Sequence, residues 1–209
     1  MKHRIVEITG VESIEHNMCI KSCLAYTGPF TELDKCLECD EPWRDPITKK
    51  TRQTFHTMLL GPQLQALWRH KESAEEMLYQ RKVTAMIMEL LEANSGILLT
   101  YDDYFYGSDY IDAVRDSRIQ DADMVLMLSL DGAQLYQYKQ LDCWIYIWVI
   151  MDLAPSIRYK KKYILIRGII PGKPKIVDSY LFPGLHHVSA LQKEGLSIWN
   201  ASHNVVEVS

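Results

Sequence analysis

Apolar residues recur with the period of a helix in the middle of the chain. A first helix is predicted at Gly61-Pro62, because proline fits the first turn of a helix, where its missing N–H has no partner to lose. A second is predicted from about Glu72 to Ala93, where apolar residues repeat at gaps of three and four. A third is predicted from Ser108 to Arg115, with Ser108 as its cap. Residues 57–122 are therefore a predicted helical connector.

The pattern changes to that of strands after residue 122. Met124–Asp131 places apolar residues on all its even positions, as a strand with one buried face does. Trp144–Met151 is apolar on both faces, which is typical of a central strand, and Tyr163–Ile170 is a third strand. A last helix is predicted at about 178–195. Three successive strands followed by a helix predict an α+β (α/β) fold, with a three-stranded meander in a core over residues 123–209.

The first 56 residues follow neither pattern and are rich in turn-forming residues. Four of the five cysteines lie here, as Cys19-x3-Cys23 and Cys36-x2-Cys39. Short spacings of this kind allow neighbouring thiolates to reach one tetrahedral Zn²⁺ ion. The sequence therefore predicts a cysteine-rich zinc-binding module over residues 1–56, with these four cysteines as ligands.

Two other interpretations of the four cysteines stay open, namely a pair of disulfides and a set of unligated buried thiols. The residues before the first cysteine lack the apolar core and small-residue cleavage site of a secretory signal, and a reducing compartment disfavours disulfides. His16 is close enough in sequence to compete as a ligand. Cys143 lies in an apolar run, and we expect it to be a packed core thiol.

Charge is distributed unevenly, although the net charge is only −4 and the 47% hydrophobic and 24% charged fractions are ordinary for a globular protein. One basic patch spans residues 49–52 and a second spans 158–175. Such patches are commonly solvated faces, and they are also the electrostatic signature of nucleic-acid binding. No stretch of 18 apolar residues occurs, so no membrane span is predicted.

Asp131 is the candidate catalytic residue that the strand pattern singles out. It follows seven mostly apolar strand residues and precedes Gly132. A carboxylate held at the end of a buried strand can bind a divalent cation, as in two-metal phosphoryl transfer. The alternative is that Asp131-Gly132 simply forms a turn. Asp152 and Asp178 are weaker candidates of the same kind.

Many separate strings, in order over about residues 15–202, resemble the CACTA-type (En/Spm-like) DNA transposases of basidiomycete fungi. The strings are Cys19-x3-Cys-Leu-Ala-Tyr-Thr-Gly-Pro, Cys36-Leu-Glu-Cys-Asp-Glu-Pro, Gly61-Pro-Gln-Leu-Gln-Ala-Leu-Trp-Arg, Gly107-Ser-Asp-Tyr, Met127-Leu-Ser-Leu-Asp-Gly-Ala-Gln-Leu-Tyr, Cys143-Trp-Ile-Tyr-Ile-Trp, Asp152-Leu-Ala-Pro-Ser-Ile-Arg-Tyr-Lys-Lys-Lys, Ile170-Pro-Gly and Val177-Asp-Ser-Tyr-Leu-Phe-Pro-Gly-Leu-His-His.

The resemblance implies a DDE/D transposase with a ribonuclease-H-like core and a nuclear location. In that family the aspartate of the Leu-Asp-Gly string binds the first catalytic magnesium ion, and this aspartate matches Asp131. Water activated by Mg²⁺ would nick the DNA at the element ends, and the freed 3′-hydroxyl would attack target DNA. The expected partners are transposon-end DNA or a full-length transposase, with no membrane and no small-molecule substrate. Lys160, Lys161, Lys162 and Arg167 are the residues we expect to contact nucleic acid.

The chain also departs from the family pattern. The second and third carboxylates of the family lie beyond the equivalent of residue 202, and Asn200 replaces an aspartate that is usual in the Ile-Trp-Asp-Ala-Ser string. We therefore expect a fragment or remnant with a partial core that is inactive alone, so its status as an enzyme is uncertain. The alternatives are a non-catalytic zinc-dependent DNA-binding or protein-interaction module, and a free-standing nuclease that uses Asp131, Asp152 and Asp178.

Overall fold

A computed structural model describes residues 11–134 and 142–209, which form a mixture of helices and strands as predicted for the α+β class. The strands are β1 (Ser13–Asn17), β2 (Thr54–Met58), β3 (Leu126–Gln134), β4 (Asp142–Ile150), β5 (Leu165–Pro171), β6 (Ser197–Asn200) and β7 (Val205–Val208). The helices are α1 (Leu60–Trp68), α2 (Lys71–Glu76), α3 (Tyr79–Ala93), α4 (Ser108–Arg115) and α5 (Val177–Glu194), with 3-10 turns at Gly28–Phe30 and Tyr104–Tyr106.

Five strands form one sheet in the order β1-β2-β5-β4-β3. Strands β3, β4 and β5 are neighbours in chain order, which is the predicted meander. Strand β5 pairs antiparallel with β4, where Ile169 lies opposite Ile145, and with β2, where Ile169 lies opposite His56. Strands β6 and β7 form a separate antiparallel pair.

The sequence did not predict β1 and β2, because each is only five residues long and carries polar residues on one face. In β2 the buried residues are Phe55 and Thr57, and those on either side of them are only partly buried. Strand β1 pairs with β2 from Ser13–Met58 to Asn17–Thr54. The cysteine-containing segment, residues 18–53, is therefore the connection between two paired strands of the main sheet.

The chain forms two compact units, each drawn from three segments. Unit 1 comprises Met1–Gln63, Leu128–Trp148 and Leu165–Gly195, and unit 2 comprises Leu64–Met127, Val149–Ile164 and Leu196–Ser209. These units do not coincide with the consecutive domains 1–56, 57–122 and 123–209 expected from the sequence, because strand pairing joins distant segments.

The core of unit 1 lies between one face of the sheet and helix α5. Phe55, Ile170 and Tyr180 are buried together there with Met18 and Ala25. The rings of Phe55 and Tyr180 meet edge to face, with centroids 4.9 Å apart. Burial of these side chains stabilises the unit.

Unit 2 has a helical and aromatic core with a buried ion pair. Phe105 and Tyr110 pack edge to face at 4.8 Å. The guanidinium of Arg158 donates to both carboxylate oxygens of Asp103 at 2.8 Å, and both side chains are almost inaccessible to water. Arg158 therefore has a structural role, although its position in a basic run suggested an exposed charge.

The helix predicted from Glu72 to Ala93 is two helices, α2 and α3. At Leu78 the backbone has a ψ of 2°, far from the helical value near −42°. Met77 and Leu78 are both buried at this break. The apolar repeat that predicted the helix lies within α3, and the predicted helix is interrupted before it at Met77 and Leu78.

Strand β3 continues beyond Asp131, which corrects both the strand end and the turn that were considered for Asp131-Gly132. The indole of Trp144, on the neighbouring strand β4, lies against Gly132. A Cβ atom at position 132 would be only 3.1 Å from its Nε1 atom. Glycine allows this close approach of the indole, so Asp131-Gly132 fits inside a strand.

Candidate metal centre

Three tight hairpins build the connection between β1 and β2. Each is closed by an isolated antiparallel bridge: Met18 with Ala25, Lys35 with Pro42, and Arg44 with Thr51. The first two hairpins carry the four cysteines near their tips, as the paired spacing predicted. We call them the first and second cysteine hairpins.

Backbone hydrogen bonds shape both cysteine hairpins. The Cys19 N–H donates to the Leu24 carbonyl, and the Cys36 N–H donates to the Glu41 carbonyl, each at 2.9 Å. Each hairpin has one residue with left-handed backbone, Ser22 (φ 58°) and Asp40 (φ 56°). Left-handed residues of this kind let the chain reverse tightly enough to bring paired cysteines together.

The sulfur atoms of Cys19, Cys23, Cys36 and Cys39 all lie within 4.8 Å of one another. The Cys19 and Cys39 sulfurs are 3.5 Å apart. Four thiolates around one zinc ion, each about 2.3 Å from it, have sulfur–sulfur separations of about 3.8 Å. The four-thiol cluster therefore fits a single tetrahedral zinc ion.

Burial and backbone donors act in opposite directions on the thiols. Burial raises the pKa of Cys36 to about 11, although the backbone N–H groups of Glu38 and Cys39 favour its thiolate. The Lys21 N–H donates to the Cys19 sulfur at 3.3 Å. Burial therefore favours the protonated forms of Cys23 and Cys36, and a divalent ion would supply the charge that stabilises four thiolates.

The cluster is attached to the rest of unit 1 at several points. The Cys23 carbonyl accepts from the Lys175 and Ile176 N–H groups, both at 2.9 Å, just before helix α5. The Ala25 N–H donates to the Ser179 hydroxyl at 2.9 Å, within α5. Metal binding would therefore stabilise a part of the fold that includes the start of α5.

His16, which was considered as a competing ligand, and Cys143, the fifth cysteine, both lie outside the cluster. His16 is half-buried on β1, with its ring 5.1 Å from that of Phe55. Cys143 is buried on β4, in agreement with the expectation of a core thiol. Neither belongs to the four-thiol cluster.

The three candidate carboxylates differ in their surroundings. Asp131 is exposed on β3 and accepts from the Gly132 N–H at 2.8 Å. Asp152 is buried in unit 2, accepts from the Val125 N–H at 2.8 Å, and has a pKa raised to about 7 by burial. Asp178 is exposed in the first turn of α5. Among the residues described, the cysteines form the only group of three or more side chains suited to a metal ion.

The residues expected to contact nucleic acid fall into two environments. Lys160, Lys161 and Lys162 are exposed in the connection between β4 and β5. Arg167 is fully buried in unit 1, where its guanidinium donates to the Met58 carbonyl and burial lowers its pKa to about 10. The exposed surface that the sequence predicts therefore contains the three lysines but not Arg167.

Comparisons of the chain with protein-family models, with curated proteins and with solved structures give no match. The resemblance to CACTA-type transposases therefore stays an expectation drawn from the sequence strings. Among the helices that the structure describes, none has the length and apolar character needed to cross a membrane.

Proposed function

We propose that Cys19, Cys23, Cys36 and Cys39 hold one zinc ion that stabilises unit 1. The proximity of the four sulfur atoms, all within 4.8 Å of one another, carries this proposal. Four protein thiolates complete a tetrahedral shell and leave no position for water or substrate, which favours a structural role.

Zinc content per chain tests this role. We expect about one zinc ion per wild-type chain and none in Cys36→Ser, because three thiolates in a closed site bind zinc far more weakly than four. The matched control is Cys143→Ser, which removes a buried thiol outside the cluster and should leave the zinc content unchanged. Wild-type protein that contains no zinc after purification and zinc addition contradicts the proposal.

We further propose that the chain is a portion of a CACTA-type DNA transposase, nuclear and catalytically incomplete alone. The ordered family strings support the class, and the antiparallel meander β3-β4-β5 is compatible with the start of a ribonuclease-H-like core. Asp131 would be the first magnesium-binding carboxylate, with the others supplied from outside the described residues. Among the residues described, Asp131 belongs to no group of three or more metal-binding side chains, which supports inactivity, because two-metal chemistry needs several such ligands around the ions.

A nicking assay with supercoiled DNA and Mg²⁺ tests this inactivity. We expect no nicking above the background of a preparation from cells that lack the gene. Magnesium-dependent nicking that disappears in Asp131→Ala would overturn the proposal. That result would instead support a nuclease that uses this carboxylate.

A second candidate function is a zinc-dependent module that binds DNA, or a full-length transposase, without chemistry. The exposed run Lys160–Lys162 favours it, because three adjacent cations form no ion pair within the described part of the chain. Salt-dependent binding of duplex DNA without cleavage is the expected result. Binding that is unchanged in the triple variant Lys160→Gln, Lys161→Gln and Lys162→Gln would exclude this run as the contact surface.

A further inference from the structure

The third hairpin between β1 and β2 is a preformed ribbon without cysteines. We call residues 43–52 the cationic hairpin. The Asp45 N–H donates to the Lys50 carbonyl at 2.8 Å, and the Lys49 N–H donates to the Asp45 carbonyl at 2.9 Å. The Arg52 N–H donates to the Trp43 carbonyl at 3.0 Å. These bonds define the ribbon and its tip before any partner binds, which lowers the entropy lost on binding.

The hairpin has a cationic surface that its own acid does not neutralise. The Asp45 carboxylate accepts from the Ile47 and Thr48 N–H groups at 3.0 and 2.7 Å, so it is turned towards its own loop. Arg44, Lys49 and Lys50 are exposed. Within residues 11–134 and 142–209 these three cations form no ion pair.

An apolar residue lies at the tip of this cationic ribbon. Ile47 is 90% exposed, more than any other large apolar side chain among those described. A β-branched apolar side chain at the end of a rigid hairpin contributes nothing to the core. Its position suits contact with an apolar surface on a partner.

The base of the hairpin is attached to the four-thiol cluster. Trp43 packs against the apolar shell of the cysteines, with its ring 5.9 Å from that of Tyr26. The Arg52 guanidinium donates to the Glu41 carboxylate at 2.8 Å and to the Pro42 carbonyl at 3.0 Å. Arg44 lies over the Trp43 ring at 4.2 Å. The metal site would therefore hold the ribbon in a fixed direction.

We propose that the cationic hairpin binds duplex DNA, with Arg44, Lys49 and Lys50 against phosphates and Ile47 in a groove. A two-stranded ribbon fits a DNA groove, and cations on its edges can reach the phosphates that border the groove. Apolar side chains at the tips of such elements contact base edges or enter base steps. This inference rests on the DNA-binding form of the proposed function and names its surface.

Duplex DNA fits these features better than an acidic protein or a lipid surface does. Three cations without an ion pair among the described residues, on a narrow hydrogen-bonded ribbon, match a regular polymer of phosphates. The single apolar tip residue offers little area for membrane insertion. On the neighbouring cysteine hairpin, Asp40 pairs with Lys35, and Glu41 pairs with Lys21 and with Arg52 of the ribbon, so neither carboxylate pairs with Arg44, Lys49 or Lys50.

The test measures binding of the full, zinc-loaded chain to a fluorescently labelled mixed-sequence duplex over a series of salt concentrations. The triple variant Arg44→Gln, Lys49→Gln and Lys50→Gln should flatten the slope of log affinity against log salt by about 3. Affinity at about 0.1 M salt should fall roughly 100-fold. Ile47→Ser should weaken binding by about fivefold without changing the slope, because it removes no charge.

The matched control is Lys71→Gln, Lys82→Gln and Lys193→Gln, which removes the same charge from exposed lysines elsewhere. It should keep the wild-type slope. Zinc content is measured on every variant, so loss of the metal site is separated from loss of DNA contacts.

Three outcomes overturn the inference. If the hairpin variant binds as wild type does while the 160–162 variant loses affinity, the DNA-binding function stands and this surface is wrong. If the wild-type chain binds no duplex at low salt, both the surface and the DNA-binding function fail, and the zinc proposal is unaffected. Binding to anionic phospholipid vesicles but not to duplex assigns the hairpin to a different partner.

Discussion

The second cysteine hairpin and the cationic hairpin have the same backbone design and different side-chain partners. In the second cysteine hairpin, the Asp40 N–H donates to the Cys36 carbonyl at 2.9 Å. In the cationic hairpin, the Lys49 N–H donates to the Asp45 carbonyl at 2.9 Å. The donating residue is left-handed in both, with φ of 56° at Asp40 and 58° at Lys49.

Backbone N–H groups at equivalent positions also act on the side chains at the start of both turns. The N–H groups two and three residues after Cys36, those of Glu38 and Cys39, favour the thiolate form of its side chain. The Asp45 carboxylate accepts from the N–H groups two and three residues later, those of Ile47 and Thr48. An aspartate thus takes the place of a cysteine thiolate in an otherwise equivalent turn.

The two hairpins differ in what surrounds the accepting atom. Cys36 is buried and its sulfur lies among three others, whereas Asp45 is partly exposed and its carboxylate contacts only its own loop. The turn therefore needs no metal to form. The proposed dependence on metal would arise from bringing two turns together, which concentrates thiols that repel one another once ionised.

Removal of zinc should give the largest difference between the hairpins. We expect a strong chelator to lower the free energy of unfolding by at least about 5 kcal/mol, because structural zinc contributes about 10–16 kcal/mol in small modules. Amide hydrogen exchange should accelerate more than about 100-fold at Cys36 and Asp40, and no more than about tenfold at Asp45 and Lys49. Equal acceleration in both hairpins would show that the hydrogen bonds within the cationic hairpin also depend on the metal.

Loss of the Asp45 carboxylate should destabilise the turn of the cationic hairpin and leave the cysteine hairpins unchanged. We expect Asp45→Ala to increase exchange at the Thr48 amide roughly fivefold, because two N–H groups lose their acceptor. Zinc content should stay at the wild-type level. Asp45→Asn is the matched control, since its side-chain oxygen can accept the same bonds. An Asn variant that exchanges as fast as Ala would mean that the charge, and not the acceptor geometry, matters.

Acid should act on the cationic hairpin through the same carboxylate. The N–H groups of Thr48 and Ile47 hold the pKa of Asp45 below its usual range. Its stabilising effect is therefore fully present above the ordinary aspartate pKa and is lost as pH falls through the lowered value in the folded chain. An NMR titration of the Thr48 amide should show a transition in that low range, and its absence in Asp45→Asn. A transition at or above the ordinary aspartate pKa contradicts the assigned hydrogen bonds.

Glycine at either left-handed position should stabilise its hairpin slightly. We expect Asp40→Gly and Lys49→Gly each to raise the free energy of unfolding by about 0.5–1 kcal/mol, because only glycine adopts positive φ without cost. Lys50→Gly is the matched control, since Lys50 lacks positive φ, and it should be neutral or destabilising. Thermal unfolding of zinc-loaded protein measures these changes, and a destabilised Lys49→Gly would point to a contact by the lysine side chain.

Sequence reasoning found the elements whose signal is local and missed those that depend on pairing. The cysteine spacing and the apolar strand β4 are local signals, and both correspond to features of the structure. Arg167 shows why a local pattern is not sufficient. The register between β5 and β4 shifts between Tyr146 and Ile147, so buried and exposed side chains do not alternate regularly along β5 at this point. Gly168, opposite Tyr146, makes room for that ring, and this fit cannot be read from one strand alone.

Asp131 and the cationic hairpin also depend on contacts that the sequence alone does not reveal. Asp-Gly is a common turn signal, yet Gly132 lies inside strand β3, against the indole of Trp144. The sequence marked residues 49–52 as a basic patch with the charge of a nucleic-acid-binding surface, but not as part of a hairpin. The equivalence of Asp45 to Cys36 depends on the hydrogen bonds of the two turns, which the sequence does not show. A local signal of this equivalence is the length of the turn, because the turn that follows Asp45 has the same number of residues as the turn that follows Cys36.

The smallest effect is expected when the two hairpins are made chemically alike. Asp45→Cys places a thiol at the position equivalent to Cys36, but the described residues bring no other metal-binding side chains around it. Because one thiolate cannot hold a structural zinc ion, zinc content should stay at about one per chain. The added thiol should react with a thiol-specific reagent while the four ligands stay protected by zinc. A second equivalent of bound zinc, or loss of the first, would show that the cationic hairpin lies close enough to the cluster to exchange ligands with it.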